Sequence, residues 1–116
     1  MIVTIKDVER AVCLRFRITR EQLLMRGPAR AISRPRAIAM YLAREMTGAS
    51  FPRLGQYFER DHSTVLYACR MVAKRAPTDS KLAVEVEICR EIIKHSDRWM
   101  EKVARDVSQR GLEVTS

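Results

Sequence analysis

A chain of 116 residues has the length of one domain, and 47% hydrophobic residues are too many for a disordered chain. Four glycines and four prolines exclude a turn-rich sheet protein, and the long intervals free of both favour helices. The net charge of +8 is concentrated in residues 10–75, where residues 10–36 alone hold eight arginines against the single acid Glu21.

The first predicted helix lies in TIKDVERAVCLRFRI, with Thr4 as N-cap and Ile5, Val8, Val12, Phe16 and Ile18 on or near one stripe. ITREQLLM predicts a short second helix, capped by Thr19 with Gln22 at capping-box spacing. RGPARAIS, residues 26–33, reads as a basic loop because Gly27 and Pro28 break the pattern. Ser33 then opens a third helix that tolerates Pro35 in its first turn, buries Ile38, Leu42 and Met46, and stops at Gly48.

Ser50 caps a short helix, FPRLGQYF, with Pro52 in its first turn, and ERDH turns the chain. A helix from about Ser63 to Lys74 follows, with Val65, Leu66, Cys69 and Val72 facing inward. Ser63, Tyr67, Arg70 and Lys74 form its second face. Pro77 ends this block, and a long final helix is expected from about Ser80 to Gln109. The fold class is therefore all-α, a compact helical bundle with a long C-terminal helix.

An arginine-rich region points to a polyanion, because guanidinium forks match phosphates and guanine edges. A solvated basic surface is the plainer alternative. Cys13, Cys69 and Cys89 are odd in number and set among apolar residues, and they share no metal spacing with His62 or His95. Buried free thiols in a reducing cytosol are expected, with no metal and no cofactor. No apolar run approaches a membrane span and MIVTIKDVER lacks a signal-peptide core, so a cytoplasmic protein is expected.

RDHSTV places Asp61, His62 and Ser63 in a row, the three residue types of a hydrolytic triad. Neighbours at a helix start point roughly 100° apart, so they cannot form the relay a triad needs. His62 and Cys69 are two turns apart, roughly 10 Å along the axis. No GxSxG, HExxH or GxxxxGK[ST] motif occurs, and catalytic residues are expected to be none. A short helix, a turn and a second helix with a polar start is instead a helix-turn-helix layout, whose second helix lies in the major groove. There Asp61 can accept from a cytosine amino group, His62 can hydrogen-bond or meet a thymine methyl, and Ser63 and Thr64 can reach a base or phosphate. Asp61 or Ser63 can equally be plain N-caps.

Residues 33–72, SRPRAIAMYLAREMTGASFPRLGQYFERDHSTVLYACRMV, are more specific than this geometry. They resemble the C-terminal DNA-binding domain of DnaA, the bacterial chromosome-replication initiator. RPR leads into IAMYLAREMT, SFPRLG follows, and RDHSTV runs into ACR, in an order and spacing that make chance agreement improbable. The preceding helices fit the same domain, so the resemblance spans about residues 1–76 and implies a Trp repressor-like helix-turn-helix.

The resemblance implies base contacts from Asp61, His62, Ser63 and Thr64. It implies backbone contacts from Arg36 and Arg44 and from the DNA-facing helix start at Ser50 and Pro52; Arg60 and Arg70 are expected as further backbone contacts. For Arg34 an internal salt bridge or a helix-start contact stands beside DNA. The family usually places a minor-groove arginine at the position of Pro28, leaving Arg26 or Arg30 to reach instead. Gln is common where Ala37 stands. The turn before RDH is usually longer and contains glycine, and Glu59 here would repel phosphate.

The family's initiator also carries a nucleotide-binding ATPase domain, for which this chain has neither room nor a phosphate loop. No nucleotide is therefore expected as partner. Met1 and a tail unlike the family's favour a free-standing module over a fragment. The expected division is a DNA-binding domain over 1–76 and an amphipathic helical extension over 77–116.

In that extension Leu82, Val86, Cys89, Ile93, Ser96, Met100, Val103 and Val107 form a seam, widened by Ile88, Ile92 and Trp99. It either packs back on its own domain or meets a partner helix, giving a homodimer or a docking surface for the initiator or another protein. The expected function is sequence-specific double-stranded DNA binding at DnaA-box-like sites, as a nucleoid-associated regulator of replication initiation or transcription. The alternative is an adaptor that kept the fold, lost specific DNA binding and acts through its C-terminal helix.

Overall fold

The computed structural model describes residues 2–25 and 30–95, in which every regular element is a helix. The first helix, α1 (Ile5–Phe16), begins at Thr4, whose hydroxyl accepts the Asp7 N–H at 3.1 Å while the Asp7 carboxylate accepts the Thr4 N–H at 3.0 Å. The same reciprocal box joins Thr19 and Gln22 at the start of α2 (Arg20–Leu24). Each cap satisfies backbone donors that a helix start leaves open, at about 1 kcal/mol apiece.

The long helix α3 (Arg30–Thr47) begins three residues before the expected Ser33, so residues 30–33, read from sequence as loop, are helical. Pro35 therefore sits inside the helix and not in its first turn. Its missing N–H leaves the Ala31 carbonyl without an intrahelical partner, and a deficit of one bond near a helix end is tolerated. At the other end Gly48 takes φ +70 and donates its N–H to the Arg44 carbonyl at 3.1 Å, which closes the helix in the left-handed region that glycine enters freely.

Two helices complete the helix-turn-helix, α4 (Phe51–Phe58) and α5 (His62–Arg75). A sixth, α6, is helical from residue 80 to residue 95. Asp79 starts it by accepting the Leu82 N–H at 3.0 Å.

The core forms where α3 is enclosed by α1 and α5. Ile38, Leu42 and Ala43 of α3, Val8 and Val12 of α1, Leu54 and Phe58 of α4, and Val65 and Val72 of α5 are all fully buried. Each large side chain so buried contributes about 1.5–3 kcal/mol of transfer free energy. On α5 the inward positions are Val65, Ala68, Cys69 and Val72, whereas Leu66, expected inside, is only half-buried. Cys69 and Cys89 are buried free thiols, and burial pushes the Cys89 thiol up to about 12; Cys13 is half-buried.

Helix α6 shares this core. Leu82, Val86, Cys89 and Ile93, the first four positions of the expected seam, are all buried in it. Ion pairs reinforce the docking: Arg15 reaches Glu85 with two bonds of 2.9 Å, Arg90 reaches Glu45 with two of 3.0 Å, and Arg34 stands 3.6 Å from Asp79. Arg34 thus has the internal partner that the sequence allowed. The remaining seam positions, Ser96, Met100, Val103 and Val107, and Trp99 lie outside the described residues. Among the described residues, no helix is long and apolar enough to cross a membrane.

Candidate nucleic-acid interface

The angle between α4 and α5 is set by a close backbone approach. Ser50 caps α4 by accepting the Arg53 N–H at 3.3 Å, and Pro52, lacking an N–H, fits the first turn at no cost. At the far end the chain folds back over Gly55, whose carbonyl accepts the Arg60 N–H at 2.8 Å. A Cβ at residue 55 would stand 2.6 Å from the Arg60 carbonyl oxygen and 3.2 Å from the His62 nitrogen, so only glycine lets the turn close. Glu59 supplies the reversal in the left-handed conformation, φ 56 and ψ 45, which a residue with a Cβ adopts at a cost of roughly 1 kcal/mol.

This turn delivers Asp61 as the N-cap of α5. Its carboxylate accepts the Ser63 N–H at 3.0 Å and also the Ser63 hydroxyl. These two bonds, and the nearby His62 ring 3.8 Å away, hold the Asp61 carboxyl below the usual carboxylate range. The Ser63 hydroxyl therefore donates to Asp61 and not to His62, an arrangement that caps a helix without the serine–histidine bond of a triad.

Asp61, His62, Ser63 and Thr64 are all exposed, side by side at the positive end of the helix dipole. Tyr67, Arg70 and Lys74 continue the exposed face, and α5, HSTVLYACRMVAKR, contains no acid. Ser50, Pro52 and Arg53 are exposed at the start of α4. Arg53, absent from the expected contacts, could have been found from its place one residue after Pro52 in the first turn.

Three arginines expected at the DNA backbone, Arg36, Arg44 and Arg60, are engaged with main-chain carbonyls. Arg36, half-buried on α3, donates from Nε to the Leu23 carbonyl at 2.7 Å and from Nη2 to the Met25 carbonyl. Arg60 donates from Nη2 to that same Met25 carbonyl at 2.8 Å and from Nη1 to the Glu59 carbonyl at 3.0 Å. Burial and the Arg60 charge lower the Arg36 pKa, yet a guanidinium remains cationic. Arg44 donates to the Ala49 carbonyl at 2.8 Å and lies 4.5 Å over the Phe51 ring, tying α3 to the first residue of α4. Arg26 lies outside the described residues; Arg30 opens α3.

Glu59 is exposed beside this surface, so its charge faces whatever approaches the turn. Ala37 is buried in the core, a packing position in this chain. Behind the interface, α1 and α4 are joined through the buried carboxylate of Glu9, which accepts the Tyr57 hydroxyl and lies 3.3 Å from the Arg20 guanidinium. Burial and the Glu9 bond push the Tyr57 phenol up to about 12. Among the described residues no group of three His, Cys, Asp or Glu side chains gathers to hold a metal.

The family model for the bacterial DnaA protein helix-turn-helix matches residues 5–72, from the start of α1 to the last buried turn of α5. The chain belongs to this family. The chromosomal replication initiator protein DnaA of Sphingopyxis alaskensis is 43% identical over 89 residues, which cover 76% of this chain and 20% of that protein. The DnaA protein of Rhizobium meliloti is 39% identical over 92 residues, covering 78% of this chain and 19% of its own length. The chain thus spans about a fifth of the length of the curated DnaA relatives it matches. The match contains both helices of the DnaA helix-turn-helix, the Gly55 turn and the polar start of α5.

Proposed function

We propose that this chain binds double-stranded DNA sequence-specifically at DnaA-box-like sites, as a non-enzymatic regulator of replication initiation or transcription. The observation that carries this reading is the row Asp61, His62, Ser63 and Thr64, exposed at the start of an acid-free helix held to α4 by the Gly55 turn. In a major groove such a row meets base edges, His62 and Thr64 being free of intrahelical capping duties. Asp61 retains one carboxylate oxygen for a cytosine amino group after capping α5 with the other.

Register falls to the phosphate contacts, which carry no sequence information themselves. Arg70 and Arg44, the α4 start at Ser50 and Pro52, and Arg53 supply them. Arg36 and Arg60 hold the turn against the end of α2 and have N–H donors left for phosphate; Arg26 and Arg30 serve the adjoining loop contact. At shared boxes the protein would compete with or assist the initiator.

Anisotropy titrations of box and scrambled duplexes at two salt concentrations test the proposal. Preference for the box at both, with both affinities falling as salt rises, supports it. Indistinguishable curves for the two duplexes would show that the protein is no specific reader.

A further inference from the structure

On α5 the exposed positions beyond the first turn are not all polar. Tyr67 is 68% exposed, the most exposed aromatic ring among the large hydrophobic residues that face solvent. It has no hydrogen-bond or ring partner among the described residues, whereas the other two tyrosines are engaged: Tyr57 by Glu9 and Tyr41 by Glu45. Its position on the helix is informative. Ser63 and Tyr67 are four residues apart and Tyr67 and Arg70 three, so the three side chains share one face. The buried residues Val65, Cys69 and Val72 lie on the opposite side, roughly 140–160° away at about 100° per residue, and Ala68 lies roughly 100° away. Tyr67 is therefore aimed away from the core, along the line that Ser63 begins.

A ring at this place has a defined reach. Tyr67 stands about 7–8 Å along the axis from His62, about two base pairs farther along a groove occupied by α5. Arg70 and Lys74 follow it on the same face and suit the flanking phosphates. What a planar apolar surface can recognise on the major-groove floor is the C5-methyl group of thymine, the one apolar feature displayed there. We propose that Tyr67 is a specificity-determining residue whose ring packs on a thymine methyl adjacent to the base pairs read by His62 and Ser63. This inference rests on the proposed DNA reading.

Replacing each thymine of the bound duplex in turn by deoxyuridine removes the methyl alone. One substitution should weaken wild-type binding about three- to ten-fold, the value of a buried methyl in a good contact. Tyr67→Ala should lose the same factor on the unmodified duplex and be indifferent to that substitution, while Tyr67→Phe, which keeps the ring, should behave as wild type. Because Tyr67 is exposed, alanine there leaves the core intact and suits a helix.

Undiminished affinity of Tyr67→Ala, or a deoxyuridine penalty that persists in it, overturns the role of the ring. A Tyr67→Phe variant that matches Tyr67→Ala assigns the effect to the hydroxyl and overturns it too. Wild-type protein that prefers no duplex overturns the DNA reading itself, a result distinct from a specific reader indifferent to Tyr67.

Discussion

Arg36 and Arg60 donate to one acceptor, the main-chain carbonyl of Met25, although they arise from α3 and from the turn before α5. Two guanidiniums thus staple the end of α2 to the helix-turn-helix, with backbone oxygens as their hydrogen-bond acceptors. Removing one partner of a charged hydrogen bond costs about 1.5–3 kcal/mol, and Arg36 makes two such bonds, one of them on the half-buried side of α3. Arg36→Ala is expected to lower unfolding stability by about 2 kcal/mol in urea titrations. It should weaken box and scrambled duplexes alike, and Arg36→Lys, a point donor without the fork, should not restore stability.

Glu59 makes the opposite case, a residue that fits its place poorly. It closes α4 at φ 56 with an exposed carboxylate beside the interface. Glu59→Gly removes the left-handed penalty and the charge together. Stability should rise by about 0.5–1 kcal/mol in thermal or urea unfolding, and duplex affinity should increase most at low salt, where repulsion is least screened.

The Glu9–Tyr57 pair predicts alkaline behaviour. The Tyr57 pKa is raised from an ordinary 10 to about 12, so the folded state holds that proton more tightly than the unfolded state. Its contribution is fully present below pH 10 and is lost as pH rises through about 12. Spectrophotometric titration of phenolate absorbance should show one tyrosine ionising last, and Tyr57→Phe should remove that late step. The same variant leaves the buried Glu9 carboxylate one donor short and should cost about 1–3 kcal/mol.

Much of this fold was legible in the sequence because its signals are local. Thr4, Thr19 and Ser50 cap helices with partners three residues on, and Gly48 stops α3, all within one turn of chain. The start of α3 was misread for the same reason: Pro35 reads as a first-turn residue, yet the three residues before Ser33 continue the helix because burial of Ile32 outweighs one lost bond.

Contacts between distant residues left no such trace. The bond from Tyr57 to Glu9 spans 48 positions, that from Arg60 to Met25 spans 35, and that from Arg15 to Glu85 spans 70. Periodicity identified the apolar side of α6 and left open what covers it; Leu82, Val86, Cys89 and Ile93 show that its described part is covered by the domain itself. In the candidate site, the row at 61–64 was legible as a polar helix start with Asp61 or Ser63 as its cap, and the choice of Asp61 required the geometry.

Charge on α5 separates affinity from sequence reading. Arg70 is exposed, forms no ion pair among the described residues, and follows Ser63 by two turns on one face. Arg70→Ala should leave stability unchanged, weaken every duplex, and reduce the slope of log affinity against log salt by about one.

Whether α5 reads sequence is decided by the ratio of box to scrambled affinity at physiological salt, measured for wild type and His62→Ala. A specific reader should favour the box by roughly a thousand-fold or more, and His62→Ala should cut that ratio by about ten-fold while scrambled-duplex affinity stays put. A wild-type ratio near one, or a ratio that His62→Ala leaves unchanged, would contradict it.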